Sequence, residues 1–401
     1  MTDTTTRPLR PETLAVHAGT TRSPFGETSE ALFLTQGFTY PDMETAEARF
    51  KARAEGTFIY SRFGNPTVAM FEERMAALEG AETARATATG MAGVAAALLG
   101  PLRAGDHLVA SRVLFGSCHY IVTELLPKFG IETTLVDGTD LDAWRGALRP
   151  TTRAFFLESP ANPTLELVDI AAIARIAREA GALLVVDNAL GIPTVSRPLD
   201  LGADIVTYSA TKHIDGQGRC LGGLVMGAKA LIEERIQPYL RHTGPALSPF
   251  NAWVMLKGLE TLSVRVRAQT QNALAMARAL ERAEGVARVR YPGLETDPFH
   301  ALCRKQMTGG GTVLAVDLEG GKEAAFAFGR ALQVIRISNN FGDAKSMVTH
   351  PATTTHERFS PAARAEIGIG DGMLRISAGL EHPDDLVDDV LAAAQAAARM
   401  R

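Results

Sequence analysis

Between about residues 84 and 226 the chain alternates short apolar runs with stretches whose apolar residues recur at helical spacing, and this rhythm constrains the fold more than any other feature. The runs at 107–110, 132–136, 154–157, 183–186, 205–208 and 221–226 read as strands. Residues 168–180 carry Ile170, Ile173, Ala174 and Ala177 on one helical face and stop at Gly181. Strands alternating with helices of this length predict an α/β fold with a mostly parallel sheet covered on both faces. The run at 221–226 follows its predecessor too closely for a crossover helix, so an antiparallel strand is expected there.

Two of these runs lead directly into polar chemistry. Ala182-Leu-Leu-Val-Val-Asp187-Asn188 ends an apolar strand in a carboxylate, and Ile205-Val-Thr-Tyr-Ser209-Ala-Thr211-Lys212 ends one in two hydroxyls and an amine. Open α/β sheets bind ligands at the carboxyl ends of their strands, which puts Asp187 and Lys212 at one edge. An Asp that can pair with a pyridinium nitrogen and a Lys that can form a Schiff base are the two groups a pyridoxal phosphate (PLP) site requires.

Other segments offer the remaining contacts. Thr87-Ala-Thr89-Gly90-Met91-Ala-Gly93 precedes an Ala- and Leu-rich helix, where small residues let backbone N–H groups approach an anion at the helix start. Joined by Ser209, Thr211 and Arg62, these donors would meet on one side of the ring. Phe115, in a glycine-bearing loop after the strand ending at Ala110, can cover a flat ring, although a core phenylalanine fits as well. Asn162 again follows a strand, and its amide could reach a phenolic oxygen; Asn before Pro is equally an ordinary turn former. Gly216-Gln-Gly-Arg-Cys-Leu-Gly222 is glycine rich but has the wrong spacing and position for a dinucleotide site. His350 and His356 lack Cys or carboxylate neighbours at metal-ligand spacing and read as structural or supporting residues.

Composition sets the outer limits. The 401 residues, 46% hydrophobic, suffice for two or three domains. A net charge of −4 from 41 basic and 45 acidic residues, with no basic stripe, argues against nucleic acid. The first residues lack an apolar signal core and the apolar run at 91–99 is too short to span a bilayer, so a cytoplasmic protein is expected. Cys118, Cys220 and Cys303 are odd in number and dispersed, as reduced thiols are. Residues 1–58, interrupted by Pro24, Gly26, Gly37 and Pro41, read as an arm whose apolar side chains lie on a neighbouring subunit. Residues 59–258 would form the ligand-binding domain. A long helix at 259–281, strands at 287–291, 312–318 and 374–377, and helices at 322–333 and 384–399 read as a smaller α+β domain over 259–401.

Tyr60-Ser-Arg62-Phe-Gly-Asn-Pro-Thr67, Val186-Asp-Asn188, Ser209-Ala-Thr-Lys212 and Arg375-Ile-Ser-Ala-Gly-Leu-Glu381 together resemble the signatures of the cysteine and methionine metabolism PLP enzymes, in the family's order over nearly the whole chain. The resemblance implies a fold-type I, aspartate-aminotransferase-like subunit with a mostly parallel seven-stranded sheet and a smaller C-terminal α+β domain. It further implies a homotetramer built from tight dimers that share active sites. In that frame Lys212 holds PLP, Asp187 pairs with the ring nitrogen, Phe115 stacks on the ring and Asn162 meets its phenolic oxygen. Ser209, Thr211, Gly90 and Met91 bind the phosphate, with Tyr60 and Arg62 reaching the phosphate of the neighbouring subunit. Arg375 grips the substrate carboxylate and Asn340 faces the substrate. Phe115 stands where relatives commonly carry tyrosine, so stacking is kept and a phenol's acid–base role is lost. The Gly-Asp-x-Lys form of the 339–346 loop and the segment beginning Arg22-Ser-Pro-Phe-Gly-Glu27 are similar to the sulfhydrylase branch. The substrates implied are an O-acylhomoserine, with succinyl favoured, and sulfide. The acetyl ester, cysteine as nucleophile, γ-elimination and a catalytically silent homologue all stay open.

Overall fold

The computed structural model describes residues 8–51 and 56–400. Seven strands form the larger sheet: β1 (Thr83–Thr87), β2 (His107–Ser111), β3 (Glu132–Val136), β4 (Thr152–Glu158), β5 (Leu183–Asp187), β6 (Ile205–Ser209) and β7 (Gly223–Gly227). Their order is β1-β7-β6-β5-β4-β2-β3. The pairs from β3 through β6 are parallel, and β7 is antiparallel to both β6 and β1. The α/β class and the antiparallel strand after Lys212 are therefore as expected. Strand β1 is absent from the sequence reading because Thr-Ala-Arg-Ala-Thr carries no apolar run; its pairing with β7 makes it a strand.

The central strands are buried on both faces, which explains their nearly continuous apolar character. The helix Ile170–Glu179 begins at Asp169, whose carboxylate accepts the N–H of Ala172 at 3.0 Å, and its Ile170, Ile173, Ala174 and Ala177 are buried.

The second sheet has the order β10-β11-β12-β9-β8, with β8 (Val286–Arg290), β9 (Val313–Leu318), β10 (Arg336–Ile337), β11 (Met347–Thr349) and β12 (Met373–Ser377). Strands of two and three residues are too short to declare a period, so β10 and β11 have no counterpart in the sequence reading. The helices Leu262–Leu280, Gly321–Ala331 and Pro383–Ala398 share a core with this sheet around Leu280, Val316, Phe328, Ile376 and Leu386. The expected single helix at 259–281 is two, Pro249–Leu259 and Leu262–Leu280.

The N-terminal segment is anchored through a buried ion pair. Arg74 on the helix Pro66–Glu79 meets Glu30 at 2.5 Å, and the same guanidinium donates to the carbonyl of Ala18 at 2.9 Å. Glu30 also pairs with Lys257 at 2.6 Å, so the buried carboxylate is held well down, to about 2, against the opposing effect of burial. Phe25, Leu34, Met43 and Phe50 along this segment are largely exposed.

Candidate active site

Parallel pairing puts β4, β5 and β6 in step, so their last residues meet at one edge. Glu158 and Asp187 are direct register partners, and Asp187 is in turn opposite Thr207. Directly beyond β6, the turn Ala210–Lys212 brings Thr211 and Lys212 over the same edge. A cavity of about 250 Å³ lies there, lined by Gly90, Met91, Phe115, Asn162, Asp187, Ser209, Thr211, Lys212 and Arg375 together with Thr89, Glu158, Ala189, Leu221, Asn339, Phe341 and Thr355.

Asp187 is 8% exposed. One carboxylate oxygen accepts the N–H of Ala189 at 3.1 Å; the other is met by the Cys118 thiol at 3.7 Å. Burial raises its pKa to about 6, and the two bonds hold it from rising further. Glu158, buried beside it, accepts the N–H of Phe115 at 2.8 Å. Its proton affinity is raised well above the ordinary carboxyl range, first by burial and then by the neighbouring Asp187.

Lys212 donates from Nζ to Asn340 Oδ1 at 2.5 Å and lies 4.7 Å from the centre of the Phe341 ring. Burial, reinforced by the charge of Arg375, lowers its pKa to about 8. Arg375, on β12, donates from Nη1 to Asn162 Oδ1 at 2.8 Å and from Nη2 to the carbonyls of Asn339 and Asn340 at 2.8 and 3.1 Å. Its Nε is buried with no partner among the described residues.

On the opposite wall, the helix Gly90–Leu99 starts with Thr89 Oγ1 accepting the N–H of Ala92 at 3.1 Å. A Cβ at Gly90 would lie 2.8 Å from Ser209 Cβ, so only glycine lets the helix start sit against the end of β6. The Thr211 hydroxyl is held between the C=O and N–H of Gly222, at 3.2 and 3.1 Å.

Tyr60 and Arg62 do not line this cavity. Tyr60 is partly exposed, and Arg62 donates to the carbonyl of Arg241 while lying 4.5 Å from the Phe63 ring. Asn340 bonds Lys212 and lines an adjoining cavity. Glu158, Cys118 and Phe341 were not assigned roles from sequence. Glu158 carried the same signal as Asp187, an apolar strand ending in a carboxylate; Cys118 had none, because only packing turns it toward Asp187. His350 bonds Thr353 and the carbonyl of Asp371, each at 2.8 Å. No cluster of three or more metal-ligating side chains occurs among the described residues. All three cysteines are free, and no helix among the described residues is long and apolar enough to cross a membrane.

Comparison with known proteins adds identity to this geometry. The O-succinylhomoserine sulfhydrylase of Mycobacterium tuberculosis is 50% identical over 382 residues, 94% of each chain, and that of Pseudomonas aeruginosa is 49% identical over 379. The L-methionine gamma-lyase of Pseudomonas putida is 40% identical over 92% of each chain. Among solved structures, a Campylobacter jejuni candidate O-acetylhomoserine (thiol)-lyase carrying an N'-pyridoxyl-lysine-5'-monophosphate superposes with a TM-score of 0.92 at 30% identity, covering 96% of this chain and all of the other. Residues 12–395 match the family model for Cys/Met metabolism PLP-dependent enzymes. With its fold-type I architecture and Lys212 at the sheet edge, the chain belongs to the Cys/Met metabolism PLP-dependent enzyme family, and its cofactor is pyridoxal 5'-phosphate.

Proposed function

We propose that the protein replaces the succinyloxy group of O-succinylhomoserine with sulfide, giving homocysteine and succinate. The observation that carries this reading is the meeting, in one cavity, of an amine, a buried carboxylate and a buried guanidinium with an unused donor, in a chain half identical to O-succinylhomoserine sulfhydrylases.

The residues fit PLP. Asp187 Oδ2 has no strong donor of its own and would meet a ring nitrogen; the helix start at Gly90 and Met91 with Ser209 and Thr211 would hold the phosphate. Phe115 would cover the ring, and the Asn162 amide, whose oxygen already serves Arg375, would offer its NH2 to the phenolic oxygen. Tyr60 and Arg62, outside the cavity of their own chain, are assigned to the phosphate of a neighbouring subunit. When bound, PLP supplies an electron sink for negative charge that develops on the substrate.

The protein's own work is position and proton movement. The unpartnered Nε–H of Arg375 would bind the α-carboxylate, at a depth where water competes poorly. Lys212, with its pKa lowered to about 8, would carry one proton at a time, taking that of the α-carbon, passing it on to the conjugated system and, neutral again, taking one from the β-carbon. Asn340 Oδ1 would aim the amine between these positions. Departure of succinate then lets hydrosulfide add at the γ-carbon, and Lys212 returns the protons.

Three substrate pairs test the reading: the succinyl ester with sulfide, the acetyl ester with sulfide, and the succinyl ester with cysteine. Homocysteine from the succinyl ester at the highest kcat/KM is expected. Turnover with cysteine alone would overturn the assignment.

A further inference from the structure

The glycine-rich stretch 216–222, whose spacing is wrong for a dinucleotide motif, lies beside the cavity at the sheet edge. It forms one wall of a second cavity of about 590 Å³ that shares Thr211, Lys212, Leu221 and Asn339 with the first. Among the described residues, two cations, Lys212 and Arg219, line this outer chamber, and no carboxylate does. We propose that Arg219 is the receptor for the distal carboxylate of the substrate's acyl group, and so selects a dicarboxylic half-ester over a neutral acyl ester. This rests on the γ-replacement reading above and names its acyl determinant.

The loop is built to present that guanidinium. Gly216 and Gly218 have φ of +68° and +67°; a Cβ at the first would lie 1.9 Å from Arg265 Nη1, and at the second 2.5 Å from Asp343 Oδ2. The backbone therefore lies down on Arg265 and Asp343 as only glycine permits, and Arg219 comes next in the chain. Asp215, whose side chain is fully buried, fixes one side of the fork: Arg219 Nε donates to its carboxylate at 2.8 Å and Nη2 to its carbonyl at 3.0 Å. Nη1 has no partner among the described residues, while the side chain as a whole is about one-third exposed. Asp343 is already paired with Lys345 at 2.8 Å, and Arg265 donates to the carbonyls of His213 and Gly258. A fork immobilised on one side loses little freedom when a carboxylate binds the other. Asn251, its amide on the carbonyl of Leu221 at 3.0 Å, lines the same chamber.

The test compares kcat/KM for O-succinylhomoserine and O-acetylhomoserine with sulfide in wild type, Arg219→Gln, Arg219→Lys and Asn251→Asp. It adds calorimetric titration of the holoenzyme with succinate and with acetate. The succinyl-to-acetyl ratio is expected to fall about tenfold to a hundredfold in Arg219→Gln, mainly through KM for the succinyl ester, with partial recovery in Arg219→Lys. Asn251→Asp leaves the Asp215–Arg219 pair intact and places a repelling charge on the same wall, so the ratio should fall there too; this keeps the test open if Arg219→Gln does not fold. Succinate affinity should drop in parallel while acetate affinity does not. An unchanged ratio and unchanged succinate affinity in the folded variants overturn the proposal. If the wild type turns over neither ester, the γ-replacement reading is lost, and the succinate titration alone decides whether Arg219 binds a dicarboxylate.

Discussion

Asp187 and Arg375 are opposite charges buried on two different sheets, and they are held in opposite ways. Asp187 ends a strand of the larger sheet with one N–H and one thiol for partners, so burial drives its pKa up and leaves it short of positive charge. Arg375, on the smaller sheet, is tied by three oxygen acceptors, two of them carbonyls of the 339–340 turn. The first is positioned by backbone and remains electrically unsatisfied. The second is positioned by hydrogen bonds and keeps only directional capacity. A carboxylate of this kind responds to a cation brought against it, whereas a guanidinium of this kind selects a shape. Lys212 lines the same cavity and so links them, its amine destabilised as a cation by burial and by Arg375.

The largest effect should come from removing that link. Lys212→Ala is expected to lower turnover by more than about ten-thousand-fold and to abolish the visible absorbance of the lysine-bound cofactor. Retention of either would place the chemistry elsewhere. Asp187→Asn isolates the electrostatic side: kcat should fall about a hundredfold to a thousandfold, with the absorbance maximum shifted and with Arg375-dependent binding of substrate retained. Arg375→Lys isolates the directional side and should raise KM about tenfold to a hundredfold, since a hydrogen bond to a charged group contributes about 1.5–3 kcal/mol. If Asp187→Asn acted on KM and Arg375→Lys on kcat, the contrast between the two sites would be reversed.

The pH dependence of cofactor uptake reads Lys212 directly. Only the deprotonated amine attacks the aldehyde, and at a pKa of about 8 roughly a tenth of it is available at pH 7. Uptake by the cofactor-free protein, followed by absorbance, should therefore rise about tenfold per pH unit below about 8 and level above it. An amine with the ordinary value near 10.4 would show a rate still climbing past pH 9. The smallest effect belongs to Cys118→Ala, which removes the thiol facing Asp187 Oδ2. A weak neutral donor contributes about 0.5–1.5 kcal/mol, so cofactor affinity should change about twofold to tenfold, with Cys118→Ser restoring it; an unaltered pH titration of the bound cofactor would mean that the thiol is packing alone.

The amino-acid sequence by itself determined the parallel sheet and which residues stand at its working edge. Period and run length fix a strand, and parallel pairing then fixes which end carries Asp187, Ser209 and Lys212. The Arg375 and Asn340 assignments came from family likeness, because nothing local to Arg375-Ile-Ser or Asn339-Asn-Phe says that these segments face the other sheet. Three things were decided only by tertiary structure: the register that sets Glu158 beside Asp187, the turn of Cys118 toward that carboxylate, and the loop that brings Arg219 to the chamber wall. Periodicity reports the face a residue takes on its own element. Which charged or polar group it meets across elements far apart in the chain is set by how the two sheets and their loops pack, and the sequence pattern carries no signal for that distance.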